Sequence, residues 1–432
     1  MRMGQGWGGW RPARWAVPLA FLLVSAAGAM LVYHVGARAY LFLELLQAVD
    51  ITHPSLPTEI KSKAQGRPSP DFPLTARIER ILPAGSVMHV QWSPDGTLVA
   101  ASRIFDGRVT VWDRRSGKMV QEFKREFSDG EPLAFTADGK YLITGASGRG
   151  SVGHVPAFTL WSLTTGTVAK QVDGACEELA GADWNTADVN VAFNFAISPD
   201  GSRFATMDGC PSSMIHIYET KTWSIIGNIK EKQFYPSPSG VMMEFTPSPG
   251  SLAYIMAFSP DGKILATIGL TACAKCPSPR GAVGAVMLFD VATLANIRVI
   301  EAIRGPPRGV EGAQGIALSP DGRFLATGAY FFSPDPKTPG PVRVWRVADG
   351  TLAWAYQQSF ENVGALAWDP QNRYLVSAAD LSIILWPIAK PQAAPLVVAK
   401  YRQVPLAAAV TKDGQYIAAV VGGGIVIIHV SQ

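Results

Sequence analysis

Cysteine and charge are both scarce in this chain of 432 residues. Four cysteines, Cys176, Cys210, Cys273 and Cys276, are too few for a scaffold built on disulfides, and none stands early enough to carry a lipid anchor near the N-terminus. Charged side chains make up 17% against 48% hydrophobic, the reverse of the balance that leaves a chain disordered. The net charge is +4, and it is unevenly placed: residues 1–75 hold seven Lys/Arg against four Asp/Glu, which leaves 31 against 30 for residues 76–432. A body so nearly neutral lacks the basic surface that grips phosphates, so nucleic acid is not an expected partner.

Signatures of catalysis and metal binding are missing too. The sequence has no GxSxG, no P-loop and no dinucleotide fingerprint. Its six histidines, His34, His53, His89, His154, His216 and His429, form no spaced ligand set. Asp173, Glu177, Glu178, Asp183 and Asp188 crowd one stretch without the alternation of a calcium loop. The expectation is a protein with no catalytic, cofactor or metal site.

One long uncharged run is present. Residues 15–33, WAVPLAFLLVSAAGAMLVY, carry no charge, and a helix of that length comes close to the hydrocarbon thickness of about 30 Å. Arg2, Arg11 and Arg14 precede it, whereas Arg38, Glu44 and Asp50 follow. The positive-inside rule therefore expects residues 1–14 in the cytoplasm, a single-pass signal-anchor at 15–33 and everything after it on the periplasmic or other extracytoplasmic side. A cleavable signal competes, with Ala27-Gly28-Ala29 as its site; apolar character that persists past that site favours the retained anchor. Residues 34–50 extend the helix or lie in the interface. Residues 51–75, interrupted by Pro54, Pro57, Pro68, Pro70 and Pro73, read as an extended linker.

Glycine and proline are plentiful, 42 and 32, and an internal repeat accounts for many of them. Ser93-Pro94-Asp95-Gly96 returns at 136–139, 198–201, 259–262, 319–322, degenerately at 369–372 and again at 411–414, at spacings of 43, 62, 61, 60, 50 and 42 residues. An apolar strand stands before each copy and another after it, joined by the tight turn that Pro-Asp-Gly favours. An alternating strand then ends in an aromatic or its equivalent, as in VTVW112, FTLW161, IHIY218, VMLF289, VRVW345, IILW386 and VIIH429. A short turn leads to a fourth strand. Seven such units predict an all-β fold over residues 76–432, a seven-bladed β-propeller of four-stranded antiparallel blades. The last unit stops after its third strand, so residues 76–82, ARIERIL, are expected to supply the missing one and close the ring.

These residues resemble the WD-repeat family. The first unit matches best, with SPDG, Asp106-Gly107 and Trp112-Asp113 all in the family's register. No Gly-His dipeptide precedes any unit, however, and among the strand-ending aromatics only Trp112 and Phe289 are followed by Asp. The family's hydrogen-bonded tetrad is therefore expected to be mostly absent.

Extra length collects on one face. Second-to-third connections swell at 147–156, 270–284 and 330–341, and connections between units at 173–191 and 231–252; the other face has minimal turns. Insertions gather on the face a repeat protein uses. Aromatics placed there, Trp184, Phe234, Tyr235, Tyr330, Phe331 and Phe332, are the candidate interface residues. All four cysteines map to the same face, read as the pairs Cys176–Cys210 and Cys273–Cys276, with a shared zinc as the alternative. The functional expectation is a membrane-anchored, non-catalytic interaction or scaffold subunit whose partners are another exported or membrane protein and, through residues 15–33, the lipid bilayer. The alternatives are a propeller enzyme, a quinoprotein-type dehydrogenase or a hydrolase, or a ligand sensor; residues 348–354, ADGTLAW, faintly resemble the docking motif of quinoprotein propellers.

Overall fold

The recurring turn is a self-contained hydrogen-bonding device. In the first copy Ser93 Oγ donates to Asp95 Oδ1 at 2.6 Å, the Leu98 N–H donates back to Ser93 Oγ at 2.9 Å, and the Thr97 N–H donates to Asp95 Oδ1 at 3.0 Å. Gly96 closes the turn at φ 69°, a left-handed backbone that a side chain would disfavour. The same hydroxyl-to-carboxylate bond recurs at Thr136/Asp138, Ser198/Asp200, Ser259/Asp261, Ser319/Asp321 and Thr411/Asp413. Only the sixth turn differs, with Asp369 in the hydroxyl's place and Asn372 at φ 58° in the glycine's.

These bonds have a consequence for pH. The Ser198 hydroxyl, then the Ser202 N–H, holds Asp200 down to about 2, and the Ser259 hydroxyl likewise lowers Asp261. A depressed carboxylate stabilises the fold above its unfolded value of 3.8 and loses that contribution as pH falls toward the folded value. Thermal unfolding followed by circular dichroism is expected to be level from about pH 5 to 8 and to drop below about pH 4, less steeply in Asp200→Asn. A midpoint unchanged down to about pH 2.5 in the parent would remove this account.

The computed structural model describes residues 71–432 except 104–105, 125–131, 146–155, 174–193, 208–214, 230–232, 237–241, 246–255, 274–281, 301–311, 331–341, 357–362, 380–381, 402–406 and 422. Residues 1–70, with the expected span and most of the linker, lie outside it. Among the described residues no helix is long and apolar enough to cross a membrane.

Seven antiparallel sheets follow one another. Blades 1 to 6 occupy residues 87–124, 133–173, 194–229, 256–300, 312–356 and 363–400. Blade 7 takes Ala408–Val410, Tyr416–Val421 and Gly424–Ser431 from the C-terminus and Thr75–Pro83 from the other end of the domain, with Thr75 opposite Ser431 and Pro83 opposite Gly424. Second and third strands are buried on both sides, as in Tyr374–Ala379 and Ser382–Pro387, because each sheet is covered by a neighbour on either face. Seven apolar clusters result, one at each junction between successive blades, including that between blades 7 and 1, where Val90, Trp92 and Val99 pack with Ala418, Val420 and Ile425. The ring is closed.

Blade 4 departs from the expected four strands. Residues 231–252, read above as a connection, contain two more strands, Gln233–Pro236 and Met242–Phe245. Residues 270–284, also read as loop, are strand at both ends, since Ile264–Cys273 and Ala282–Asp290 run through them. Phe234, Tyr235, Tyr330 and Cys273 are accordingly strand residues.

The outermost strands share another irregularity. In blades 1 to 5 the pairing of third and fourth strands slips by one residue beside the aromatic, at Trp112, Trp161, Tyr218, Phe289 and Trp345. In blades 6 and 7 the slip is displaced to Ile383/Ile384 and Ile78/Arg80. Bulges of this kind twist an exposed strand edge and make it a poor template for another chain.

Candidate interaction face

Antiparallel strands alternate in direction, so each blade places two kinds of connection at each end. First-to-second and third-to-fourth turns share what is here termed the turn face; second-to-third and blade-to-blade connections share the loop face. The turn face is tightly closed. Each turn glycine stands against the turn of the preceding blade, Gly139 on Pro94, Gly262 on Ser198, Gly322 on Pro260 and Gly96 on Thr411 across the closure. The aspartates here are engaged within their own turns.

The loop face is built up most clearly at blade 4. Its second and third strands run 10 and 9 residues, and their upper parts pair from Gly269–Ala285 to Ala272–Ala282. The hairpin of Gln233–Pro236 and Met242–Phe245 joins this extension, with Met243 opposite Cys273 and Phe245 opposite Thr271. The innermost strand, Met256–Phe258, pairs with residues 265–267 on the same edge of Ile264–Cys273. The hairpin therefore continues the innermost strand's line beyond the blade as a crest on the loop face. Backbone register brings three candidate residues onto this crest: Tyr235 pairs with Met243, Met243 with Cys273, and Phe234 with Glu244. Tyr330 ends the second strand of blade 5. Trp184, Phe331, Phe332, Cys176, Cys210 and Cys276 lie outside the described residues.

Interior polar groups act as braces. Trp161, Trp345 and Trp386 donate their indole N–H to the hydroxyls of Thr144, Thr327 and Ser377 at 3.0, 2.9 and 2.8 Å. Sequence reasoning missed these partners; the available signal was the hydroxyl residue recurring in LIT, LAT and LVS of the second strands. His216 is buried, its Nδ1 2.6 Å from Asn228 Oδ1. Burial pushes Tyr356 and Tyr374 well above the ordinary phenol range, and each donates to a backbone carbonyl, of Pro387 and Gly414. Groups so held serve packing. Among the described residues no cluster of three His, Cys, Asp or Glu is placed to hold a metal ion.

Comparison with known proteins agrees with the architecture. The family model described as WD domain, G-beta repeat matches residues 79–113 and 354–387. Each match begins on the outermost strand of one blade and ends on the third strand of the next, so the strand that closes blade 7 carries the same sequence character as the ordinary fourth strand of blade 5. The chain is similar to a WD repeat-containing protein of Schistosoma mansoni, 22% identical over 181 residues, 42% of this chain and 46% of that protein. It is also similar to a WD repeat-containing protein of Synechocystis sp., 33% identical over 63 residues, 15% of this chain and 18% of the other. The alignments thus span less than half of either relative. The chain carries WD-type repeats in a seven-bladed propeller.

Proposed function

We propose that this propeller is a non-catalytic interaction module, tethered by residues 15–33 with its blades on the extracytoplasmic side, and that its loop face docks another exported or membrane protein. The observation that carries the reading is the asymmetry of the two faces. Seven short turns, six of them near-identical, close one end, whereas the other bears the crest of blade 4 and every long connection. Aromatic side chains on such a face are effective anchors because they bury much area at little entropic cost.

The test has two arms. Protease added to intact spheroplasts is expected to digest residues 76–432, and full protection would sink the orientation. In affinity capture from mild detergent extracts, Phe331→Ser with Phe332→Ser, or Phe234→Ser with Tyr235→Ser, is expected to weaken recovery of the partner about tenfold or more, equivalent to about 1.4 kcal/mol, at unchanged melting temperature. Capture that ignores these changes but fails on charge reversal in the Pro-Asp-Gly turns would put the working surface on the opposite face.

A further inference from the structure

The five bulges beside the aromatics do more than protect edges. All seven exposed large hydrophobic side chains among the described residues, 39–58% exposed, lie on the fourth strands of blades 1 to 5 at their turn-face ends. Met119, Val168, Ile225 and Leu352 pair directly with the strand-ending aromatics Trp112, Trp161, Tyr218 and Trp345, whereas Val120, Ile226 and Ile297 are the extra residues of the bulges. One register position repeated in successive blades is one height above the turn face. Scattered surface hydrophobics need no explanation, but an arc at a single level over five blades is ordered as a plane.

Charge follows the same arc. Arg115, Lys118, Lys170, Lys221 and Arg346 are exposed beside it on blades 1, 2, 3 and 5, while the acids of the third-to-fourth turns each have a hydroxyl partner within their own turn: Asp113 accepts from Ser116, Glu219 from Thr222, Asp290 from Thr293 and Asp349 from Thr351. The tether arrives at this end as well. Thr75 lies opposite Ser431, the last residue of blade 7's third strand before the turn face, and Asp71 pairs with Lys390 in the third-to-fourth turn of blade 6. We infer that the turn-face rim of blades 1 to 5 is a bilayer-contact surface, its aliphatic arc dipping into the interface and its cations meeting acidic headgroups. The tethered reading above supplies only the direction in which the rim faces; the arc and its charge stand without it. With the rim on the lipid, the loop face points away from the membrane.

The full chain, carrying a protease site within residues 51–70, is reconstituted in vesicles with and without phosphatidylglycerol, cut, and sedimented. The freed propeller is expected to pellet with acidic vesicles. Val120→Ser, Ile226→Ser and Ile297→Ser together should reduce the pelleted fraction about tenfold at unchanged melting temperature, as befits exposed positions. A parent propeller released as a monomer overturns the inference, and so does one that sediments as a dimer regardless of lipid, which would make the rim a contact between copies. A carbonate wash of the uncut chain reports on the anchor by itself: extraction there, with pelleting of the freed propeller intact, would sink the tether and leave the rim standing.

Discussion

A chain lacking residues 71–83 is expected to fail as a folded monomer, whereas one lacking residues 51–70 should melt at the parent temperature. Phe72, Leu74 and Leu82 are buried in the junctions that blade 7 makes with blades 6 and 1. Burial contributes about 1.5–3 kcal/mol for each such side chain, so roughly 6 kcal/mol for the three, against an unfolding free energy of about 5–15 kcal/mol for a typical domain. The strand also ties blade 7 to blade 1, through Glu79 to Arg114 at 3.4 Å and through Arg80 to the Arg115 carbonyl at 2.8 Å. Its loss would bare Gly424–Ser431, GIVIIHVS, an uncharged β-forming edge of the kind that recruits other chains. A point change offers a milder probe: a Cβ at Gly424 would stand 2.8 Å from the Leu82 carbonyl oxygen, so Gly424→Ala should loosen the closure without deleting it. Size-exclusion chromatography and thermal melts check both, and equal losses from the two deletions would dissociate closure from this strand.

What could be read in advance follows the range of the interactions concerned. The turn is local, with every bond of its Ser-Pro-Asp-Gly frame made within five residues, and seven copies of a local signal identify the blades and their number. The closing strand was legible by subtraction, because a fourth strand was missing at one end and ARIERIL was unassigned at the other. The crest of blade 4 was not. Its pairings join Met243 to Cys273 and Phe245 to Thr271 across some thirty residues, and its short strands, QFYP and MMEF, sit among the prolines and serines that mark loops. The bulges escaped for a different reason: a short turn after the aromatic predicts a fourth strand such as MVQEF but carries no register, and the slip appears only when that strand is laid against the third. The loop-face aromatics were chosen from composition and topology, and of these only Phe234, Tyr235 and Tyr330 have a described place in the backbone.

Replacing Asp369 by alanine is expected to cost about 3–5 kcal/mol, the penalty for breaking a buried ion pair from one side. In six turns the first residue is a hydroxyl that bonds the turn's own aspartate; in blade 6 it is a fully buried carboxylate. Arg373 reaches it with Nε at 2.8 Å and Nη2 at 2.9 Å, and the Arg373 N–H donates to it at 2.9 Å. The same guanidinium donates to the Gly414 carbonyl at 2.8 Å, where Tyr374 also donates, and Gln371 donates to the carbonyl of Asp413. Blade 6 thereby grips the turn of blade 7, the blade that is closed non-covalently by strands from both ends of the domain. Asp369→Ala leaves Arg373 partly buried without its carboxylate, so the loss is more than that of one hydrogen bond. Asp369→Ser with Arg373→Thr, copying Ser93 and Thr97 of blade 1, removes both charges and supplies a hydroxyl that can accept from the Tyr374 N–H as Ser93 does from Leu98, and should recover part of the stability. The cycle of Asp369→Ser, Arg373→Thr and the two together in urea is therefore expected to show a coupling of about 2 kcal/mol or more. Additive losses would mean that the carboxylate and the guanidinium act separately, and that blade 6 holds blade 7 through Tyr374 and apolar packing instead.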